Sequence, residues 1–438
     1  MAVFHRGAAA VTDAGASFEA LSATGADQIS GTGAITRSSV ARVGAATAIS
    51  AVCGYAVLYL AARALDPAGF SVFGVFWGAF GLVGGAAYGL LQEATREVRS
   101  AGYVEIAEGP RTHPMRIATA VGVVSALVMA GTSFLWAPHV FSVSRPLSVV
   151  LLSVGLAGFC IHATLLGLLA GTGRWGGYGA LMVTDAIMRV VVAVAAFAVG
   201  WGLDGFLWAT VAGAIGWLLL LSVSPGARTA AGLRTPGSTA TFLRGAGHSI
   251  AAAGASAILV MGFPVLLKAT SGGDLGAAGG VVILAVTLTR APLLVPLTAM
   301  QGNLIAHFVD HRGHRLRSLI APAAVVLVLG AVGVVAAGLL GPWLIRVAFG
   351  DEYGPGGLLL AWLTAGAVAI ALLTVTGAAT VAAGLHRAYS IGWVGATVVS
   401  AALLSLPMGL TDRTVVALLC GPLVGIVVHL AALGRAAR

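Results

Sequence analysis

The chain has 438 residues, of which 58% are hydrophobic and only 9% are charged, with a mean hydropathy of +0.98. A soluble domain carries about 25% charged residues, so this composition excludes a soluble protein and predicts a polytopic membrane protein. The net charge of +9 does not indicate a nucleic-acid partner. The basic residues stand in short loops without interleaved aromatic side chains, which is typical of a membrane protein whose orientation they determine.

The chain begins with a polar segment. Its first 36 residues are rich in Ala, Gly, Ser and Thr, carry scattered charges and lack the apolar core of a signal peptide. We therefore predict that residues 1–36 form a flexible cytoplasmic tail.

Twelve apolar segments follow this tail, and each approaches the length of about 20 residues that a helix needs to cross a bilayer. This pattern predicts an all-α polytopic membrane protein with about twelve transmembrane helices. The predicted spans are 43–63, 70–91, 117–137, 147–170, 180–200, 206–224, 248–268, 279–304, 318–340, 358–383, 388–408 and 414–433.

The basic residues indicate how these spans are oriented. With the N-terminus placed in the cytoplasm, inner segments hold seventeen Lys and Arg residues, outer segments hold five, and two lie within predicted spans. Because Lys and Arg are enriched on the cytoplasmic side of membrane proteins, this bias predicts that both termini are cytoplasmic and that the number of spans is even.

Two stretches at matching places indicate an internal repeat. "LLAGTGRWGGYGALM" (168–182) follows the fourth predicted span, and "TVAAGLHRAYSIGWV" (380–394) follows the tenth. Each runs from small residues through Gly, a basic residue and an aromatic residue into an apolar helix. We therefore predict two six-helix lobes, related by a pseudo-two-fold axis, around a central cavity, as in many transporters.

The predicted repeat divides the chain beyond its tail into three parts. The N-terminal lobe is 37–224, the C-terminal lobe is 248–438, and the Gly-, Pro- and Thr-rich segment 225–247 joins them as a cytoplasmic linker. Among the loops, 92–109 is predicted to form a short helix along the inner surface. No loop is long enough to fold into a catalytic domain.

The eighth predicted span holds the most unusual charge. "TLTRAPLLVPL" (287–297) places Arg290 near the bilayer midplane, followed by Pro292 and Pro296. Arginine there costs roughly 2.5–3.5 kcal/mol on insertion scales, and each proline removes a helix hydrogen bond. Arg290 is therefore predicted to face a hydrated cavity and bind an anionic ligand, or else to bond carbonyls that the two prolines free.

The fifth predicted span carries a second charged pair. Asp185 and Arg189 are four residues apart and share one helical face. They are predicted either to neutralise each other or to line the cavity, with Arg189 binding an anion and Asp185 titrating. Arg189 and Arg290 lie at similar depth in opposite halves, so together they could form one phosphate site, for which the planar guanidinium is suited.

Other charged residues stand at span ends. Arg63 and Lys268 lie at outer ends, where long basic side chains extend towards the interface. Arg96 lies at an inner end and is predicted to pair with Glu93 or Glu97. Arg63 and Arg96 are also weaker candidates for contact with a substrate in the cavity.

The remaining reactive side chains do not indicate catalysis or a metal site. His162 is predicted to be a hydrogen-bonded core residue of the fourth span. Cys53, Cys160 and Cys420 lie far apart in apolar segments, which is typical of small buried hydrophobic residues. We predict no catalytic residue, no metal and no cofactor.

Several motifs, taken in order, resemble those of polysaccharide-biosynthesis (O-antigen type) flippases of the multidrug/oligosaccharidyl-lipid/polysaccharide exporter superfamily. The resemblance covers residues from about 37 to 435. The motifs are "AARALDPAGFSVFG" (61–74), "LLAGTGRWGGYG" (168–179), "TLTRAPLLVPL" (287–297), "WLIRVAFGDEYGPGGLLLAWL" (343–363) and "VAAGLHRAYS" (381–390).

This resemblance implies alternating access in a bacterial plasma membrane. The implied cargo is a polyprenyl-(pyro)phosphate-linked sugar or oligosaccharide, moved from the inner to the outer leaflet for cell-envelope glycan synthesis. Implied partners are this substrate, membrane lipid and glycan-assembly enzymes. Members of the family commonly use cavity arginines against the lipid phosphate; Arg290 matches that role best and Arg189 less well.

Two alternatives remain beside this interpretation. A cation-coupled small-molecule exporter of the same superfamily usually needs an acid in its first or seventh span, and 43–63 and 248–268 contain none. A membrane glycosyltransferase would need a carboxylate base. The first outer loop offers Asp66 alone, and Asp351 and Glu352 stand in a Gly- and Pro-rich turn, so we predict that the protein is not an enzyme.

The orientation of the chain can be tested by cysteine labelling in a cysteine-free background. Single cysteines at positions 20 and 236 are expected to react with an impermeant maleimide only from the cytoplasmic side. Labelling of either position from outside would overturn the predicted topology.

Overall fold

A computed structural model of the protein describes residues 37–101, 110–310 and 315–436. The predicted tail, residues 1–36, lies outside this part of the chain. The described chain is almost entirely helical, with one two-stranded sheet.

The helices are α1 Arg37–Ala64, α2 Pro67–Ala101, α3 Pro114–Gly131, α4 Ser133–Val140, α5 Arg145–Gly171, α6 Trp175–Ala198, α7 Gly202–Ala212, α8 Gly216–Val223, α9 Pro225–Ala231, α10 Thr239–Val260, α11 Phe263–Thr270, α12 Gly276–Ala299, α13 Gln301–Asp310, α14 Arg315–Ser318, α15 Ile320–Phe349, α16 Gly357–Ala382, α17 His386–Leu404 and α18 Leu410–Arg435. Short 3₁₀ turns cover Gly213–Ile215 and Asp351–Tyr353, and the strands are β1 Arg111–Thr112 and β2 Thr235–Pro236.

The predicted number of spans is confirmed at the level of length and composition. In the described residues, eleven helical segments are long and apolar enough to cross a membrane. The pair α10 and α11, bent by 67° at a short break, brings the number to twelve if it crosses as one broken span. The predicted seventh span, 248–268, is therefore not one continuous helix. The predicted eighth span, 279–304, is also divided, since α12 ends at Ala299 and α13 begins at Gln301.

The inner loops differ from their prediction. The segment 92–109 does not begin a separate surface helix, because α2 continues without a break to Ala101; residues 102–109 lie outside the described chain. The segment 225–247 contains α9, β2 and the start of α10. β2 pairs antiparallel with β1, so this segment is held against the loop that follows α2.

Helix packing in the first six spans recurs in the last six. α3 packs on α5 as α15 packs on α16, and α6 packs on α7 and α8 as α17 packs on α18. α2 packs on α5 as α12 packs on α16. This repetition is what two lobes of six spans require.

The two lobes meet along α2 and α10, and glycines make that approach close. At Gly85 a side chain would collide with Ala257, and at Gly89 it would collide with the backbone at Ile250. Small residues at such positions let helix backbones approach closely. α10, which ends at the break of the seventh span, thus packs closely against α2 of the N-terminal lobe.

The ends of the lobes that are predicted to face outward, called the outer ends below, are in contact. The Tyr353 hydroxyl donates a hydrogen bond of 3.0 Å to the Leu65 carbonyl oxygen. Burial raises the pKa of the Tyr353 phenol, so it remains a neutral donor. Gly280 of α12 packs so tightly on the Pro67 carbonyl that a side chain has no room there.

Polar bonds reinforce this outer closure. Lys268 was predicted to extend towards the membrane interface. In the structure it is buried and forms an ion pair of 2.6 Å with Asp274. The hydrogen bond from Lys268 lowers the pKa of Asp274. A hydrogen bond with Ser142 of the opposite lobe lowers it further, by a smaller amount. The Asp274 carboxylate therefore stabilises the contact fully when the pH is above the ordinary pKa of an aspartate. This stabilisation is lost only as the pH falls through the lowered pKa of Asp274.

α1 packs mainly within its own lobe. α1 contacts α6 closely but α12 only slightly, and the inner half of α1 is largely exposed. Tyr88, in the inner half of α2, is 39% exposed. α1 therefore adds little to the contact between the lobes.

This closure can be tested at Gly280. Gly280→Val would place methyl groups against a backbone carbonyl, and overpacking of this kind costs about 1–3 kcal/mol. We expect the ratio of outer-open to outer-closed molecules to rise about tenfold or more. Electron–electron double resonance between spin labels at Val143 and Glu352, in a cysteine-free background, would measure it.

The matched control is Gly54→Val in α1, where an added Cβ meets nothing within 4 Å. It is expected to leave the distance distribution unchanged. An unchanged distribution in Gly280→Val would show that the outer contact does not limit opening.

Candidate functional site

Arg290 lies deep inside the protein, beside the break in the seventh span. Its side chain is 7% exposed. Nη1 donates hydrogen bonds to the carbonyl oxygens of Leu259, at 3.3 Å, and Val260, at 3.0 Å. The guanidinium carbon lies 4.9 Å from the centre of the Phe263 ring, a distance typical of a cation–π contact.

The break explains why a cation stands there. α10 ends at Val260, and α11 begins at Phe263. The last carbonyls of a helix lack intrahelical partners and carry partial negative charge. Arg290 supplies a donor to two of them. Arg290 was alternatively predicted to bond carbonyls that Pro292 and Pro296 free in its own helix. It does bond free carbonyls, but they belong to α10.

One edge of the Arg290 guanidinium has no partner. Among the described residues, no group accepts a hydrogen bond from Nε or Nη2, although both atoms are buried. No ion pair to Arg290 is formed within the same residues. Buried donors without acceptors are costly and rare. The prediction that Arg290 faces an open cavity is also not met in this conformation, since the guanidinium is enclosed.

The fifth span presents a different arrangement. Arg189 binds Asp185 through two hydrogen bonds, from Nη2 at 2.9 Å and from Nε at 3.2 Å. The guanidinium carbon of Arg189 lies 5.2 Å from the centre of the Phe80 ring. Gly213, in the 3₁₀ turn of the sixth span, leaves space for the pair because it has no side chain. The predicted pairing is thus present.

Aromatic side chains surround this pair. The rings of Tyr88 and Phe159 meet edge to face at 5.4 Å, and Phe159 stacks on His162 at 5.2 Å. His162 is buried as predicted, but its Nδ1 atom has no hydrogen-bond partner in the described chain. The sequence analysis missed Tyr88 and Phe159. The spacing of Phe80 and Tyr88, eight residues apart on one face of α2, was the available signal.

The two intramembrane arginines have different partners in this structure. Arg189 lies over Phe80, whereas Gly81 faces Met261 at the break that Arg290 caps. Successive residues of a helix point about 100° apart, so the arginines approach different faces of α2. That they jointly bind one phosphate stays a prediction.

Arg63 and Arg96 are not brought to either arginine. Arg63 is exposed at the outer end of α1. Arg96 bonds Glu93 through Nε at 3.0 Å and Nη2 at 2.6 Å, and Nη2 also bonds Glu97 at 2.7 Å. The predicted pairing of Arg96 is present, at the inner end of α2.

A cavity of about 490 Å³ lies apart from these charges. It is bounded by α2, α3, α4, α5 and α11, and its lining is mainly apolar, including Leu82, Val128, Trp136 and Val265. In the described residues, no cluster of three or more His, Cys, Asp or Glu side chains could hold a metal ion.

The fold is that of a known class of transporters. The inward-facing conformation of a multidrug resistance MATE family transporter of the MOP superfamily matches with a TM-score of 0.67 and 16% identity, over 88% of this chain and 95% of that chain. The outward-facing conformation gives a TM-score of 0.60, 15% identity and coverage of 91% and 96%. The predicted fold class is thus confirmed, and these structures are of transporters, not enzymes.

A third solved structure is a MOP superfamily transporter from Pyrococcus furiosus. It is described as having a binding pocket of reverse polarity that suggests a different function. It matches with a TM-score of 0.61 and 13% identity, over 91% of this chain and 96% of that chain. At such identities the likeness shows the fold alone.

Sequence relatives give the family. No family model matches the chain. Mb3654 of Mycobacterium bovis is 70% identical over 430 residues, which is 98% of this chain and 99% of that protein. Rv1510 of Mycobacterium tuberculosis is 67% identical over 404 residues, which is 92% of this chain and 93% of that protein. The chain belongs to the family that these mycobacterial proteins form.

The role of Arg290 can be separated from a purely structural one by measuring stability. Arg290→Met removes two charge-assisted hydrogen bonds, each worth about 1.5–3 kcal/mol. It also removes a buried cation whose net burial costs several kcal/mol. We therefore expect Arg290→Met to lower the melting temperature in detergent by no more than about 2 °C, or to raise it.

Arg346→Met serves as the control, because Arg346 is exposed and bonds only the Pro342 carbonyl. It is expected to leave the melting temperature unchanged. A loss of many degrees in Arg290→Met, with none in Arg346→Met, would mean that Arg290 serves the fold and not a ligand.

Proposed function

We propose that the protein is an alternating-access transporter that exports an anionic, phosphate-bearing amphiphile across the plasma membrane, with both termini in the cytoplasm. The observation that carries this proposal is the free Nε–Nη2 edge of the buried Arg290 guanidinium. That edge presents two parallel N–H donors, which is the geometry that binds carboxylate or phosphate in a bidentate manner.

Two other arginines of the same chain support this interpretation. Arg189 uses its Nε and Nη2 atoms to hold the Asp185 carboxylate. Arg96 uses the same two atoms to hold the Glu93 carboxylate. In both cases the chain supplies an anion to the guanidinium edge. For Arg290 the described chain supplies none, so an anionic ligand is the missing partner.

The position of Arg290 suits a moving ligand. Its Nη1 atom holds the carbonyls of the broken seventh span, while the other edge is free to bind. A phosphate that entered from the inner side would neutralise the cation at mid-depth and would have to be released on the other side. Interactions of this kind lower the cost of moving a charged headgroup through the membrane.

A polyprenyl-(pyro)phosphate-linked sugar is the cargo that the resemblance in sequence motifs implies. Its phosphate would bind Arg290, and its sugar would occupy the hydrated space between the lobes. Glycan-assembly enzymes on the cytoplasmic side would supply such a substrate. The Pyrococcus furiosus transporter is described as having a binding pocket of reverse polarity. The polarity of the binding pocket therefore differs between proteins of this fold.

A small-molecule exporter is the second candidate, and the comparisons favour it. Two of the solved structures with this fold are of a multidrug resistance transporter. The aromatic surroundings of the Asp185–Arg189 pair, including Tyr88, could bind a flat organic molecule. Against it, Asp185 is neutralised by Arg189, and Glu93, which is also buried within a described span, is paired with Arg96.

Binding in lipid nanodiscs can distinguish these candidates. We expect a polyprenyl monophosphate to bind the wild-type protein and a cationic aromatic dye to bind more weakly. Arg290→Lys keeps the charge but loses one donor of the fork, so we expect its affinity for the polyprenyl phosphate to fall about tenfold, or about 1.4 kcal/mol. Arg290→Gln is expected to bind more weakly still.

Arg96→Lys is the matched control, because Arg96 has the same fork but is 59% exposed and already paired. It is expected to bind as the wild type does. Equal affinity of Arg290→Lys, Arg290→Gln and wild type for the phosphate would overturn the proposal. Tight binding of the dye that depends on Tyr88 but not on Arg290 would establish the second candidate instead.

A further inference from the structure

The apolar cavity of about 490 Å³ is a space that the proposed function does not use. Four of its walls are helices of the N-terminal lobe, α2, α3, α4 and α5, and the fifth is α11 of the C-terminal lobe. Val265, the third residue of α11, lines it, and so does Leu82, which packs against Gly262 in the break of the seventh span. The cavity therefore lies between the lobes, beside this break.

An interruption in the third span shapes the opposite wall. α3 ends at Gly131, and α4 begins at Ser133. Val128 and Met129 line the cavity before the interruption, and Trp136 lines it afterwards. Parts of two interrupted spans, the third and the seventh, thus line the cavity from different lobes.

The cavity is closed towards the predicted outer surface and open along α3. The ring of Trp136 meets the ring of Phe141 edge to face at 5.9 Å, and Phe141 meets Phe76 at 5.9 Å. Phe76 and Phe141 are buried, so aromatic rings fill the space at this end. In contrast, Val124 and Val128 of the cavity lining are 59% and 58% exposed. The opening therefore lies on the flank of a membrane-spanning helix, where lipid hydrocarbon surrounds it.

The lining offers little to a charged or polar ligand. None of the described residues that line the cavity is charged. The Thr132 hydroxyl donates to the Val128 carbonyl oxygen at 2.7 Å, and the Trp136 indole N–H donates to the Met129 carbonyl oxygen at 3.3 Å. Ser125 adds one further hydroxyl. A water molecule in a cavity needs about two to four polar partners, so this lining favours hydrocarbon over water.

The volume of the cavity matches one hydrocarbon chain. An apolar cavity of about 150 Å³ holds a benzene ring, so about 490 Å³ has room for about twenty carbon atoms. That is the size of one acyl chain of a membrane phospholipid, whereas a polyprenyl chain is much longer and would fit only in part. An empty space of this size would be unfavourable, because the atoms around it would lose van der Waals contacts.

We propose that the cavity binds one acyl chain of a membrane phospholipid, which enters along α3 and lies between the two lobes. The chain contacts Met129 and Trp136 on one side and Val265 on the other. The phospholipid headgroup stays at the membrane surface, since the lining has no charge to bind it. The proposal is independent of the proposed cargo site, because Arg290 does not line the cavity.

Photolabelling can detect this chain. The wild-type protein is reconstituted in nanodiscs with a phosphatidylglycerol that carries a diazirine in one acyl chain, then transferred to a mild detergent, washed and irradiated. Lipid on the exposed surface exchanges with detergent, whereas a chain held between the lobes is retained. Leu127 is 67% exposed on α3 and does not line the cavity. We expect labelling of Met129 and Trp136 to exceed labelling of Leu127 by about tenfold or more.

Variants that fill the cavity should exclude the chain. Val265→Trp places an indole ring in the cavity, so we expect labelling of Met129 and Trp136 to fall about tenfold. Ser125→Phe fills the cavity from the opposite lobe and serves if Val265→Trp fails to fold. The matched control is Val328→Trp on α15, where Val328 is 63% exposed away from the cavity; it is expected to keep the wild-type labelling.

Three results would overturn the proposal. Equal labelling of Leu127 and of the cavity residues in the wild type would mean that lipid only contacts the surface. Wild-type labelling in both Val265→Trp and Ser125→Phe would place the labelled chain outside the cavity. Loss of the label to an excess of polyprenyl monophosphate would assign the cavity to a polyprenyl chain instead. Arg290→Gln is expected to keep the labelling, so the cavity and the proposed cargo site are tested separately.

Discussion

The break of the seventh span between Val260 and Phe263 is the constraint on which the placement of Arg290 and the meeting of the lobes depend. A helix broken inside a membrane leaves carbonyls that lipid cannot satisfy. Arg290 donates hydrogen bonds to two of them beside the 67° bend of the seventh span. The same bonds give a buried cation a reason to be there when no ligand is bound.

The bend also determines how the lobes meet. Because α10 and α11 follow different directions, α10 can pack along the glycines of α2 while α11 contributes Lys268 to the contacts at the outer ends.

Hydropathy was sufficient to predict the spans, because a span of about 20 apolar residues is a constraint on sequence alone. It could not predict the break after Val260. Met261, Gly262 and Pro264 are all common in membrane helices, and proline near the start of a helix is as compatible with a new helix as with a kink. The prolines of α12, which attracted attention in the sequence, lie within a helix that continues past them.

The charged residues were predicted with similar limits. Asp185 and Arg189 could be paired from their spacing, because partners four residues apart on a helix are close by geometry. The partners of Arg290 lie about 30 residues away on another span, and no local pattern indicates them. The free edge of its guanidinium is a property of the packing of three helices, so only the structure could reveal it.

The central claim is that the free edge of Arg290 receives an anionic headgroup. An experimental structure of the protein with a bound polyprenyl phosphate would test it most directly. The account predicts phosphate oxygens about 2.7–2.9 Å from both Nε and Nη2 of Arg290, as in other bidentate pairs. Phosphate density at another place in the protein, with the Nε–Nη2 edge of Arg290 still unoccupied, would contradict it.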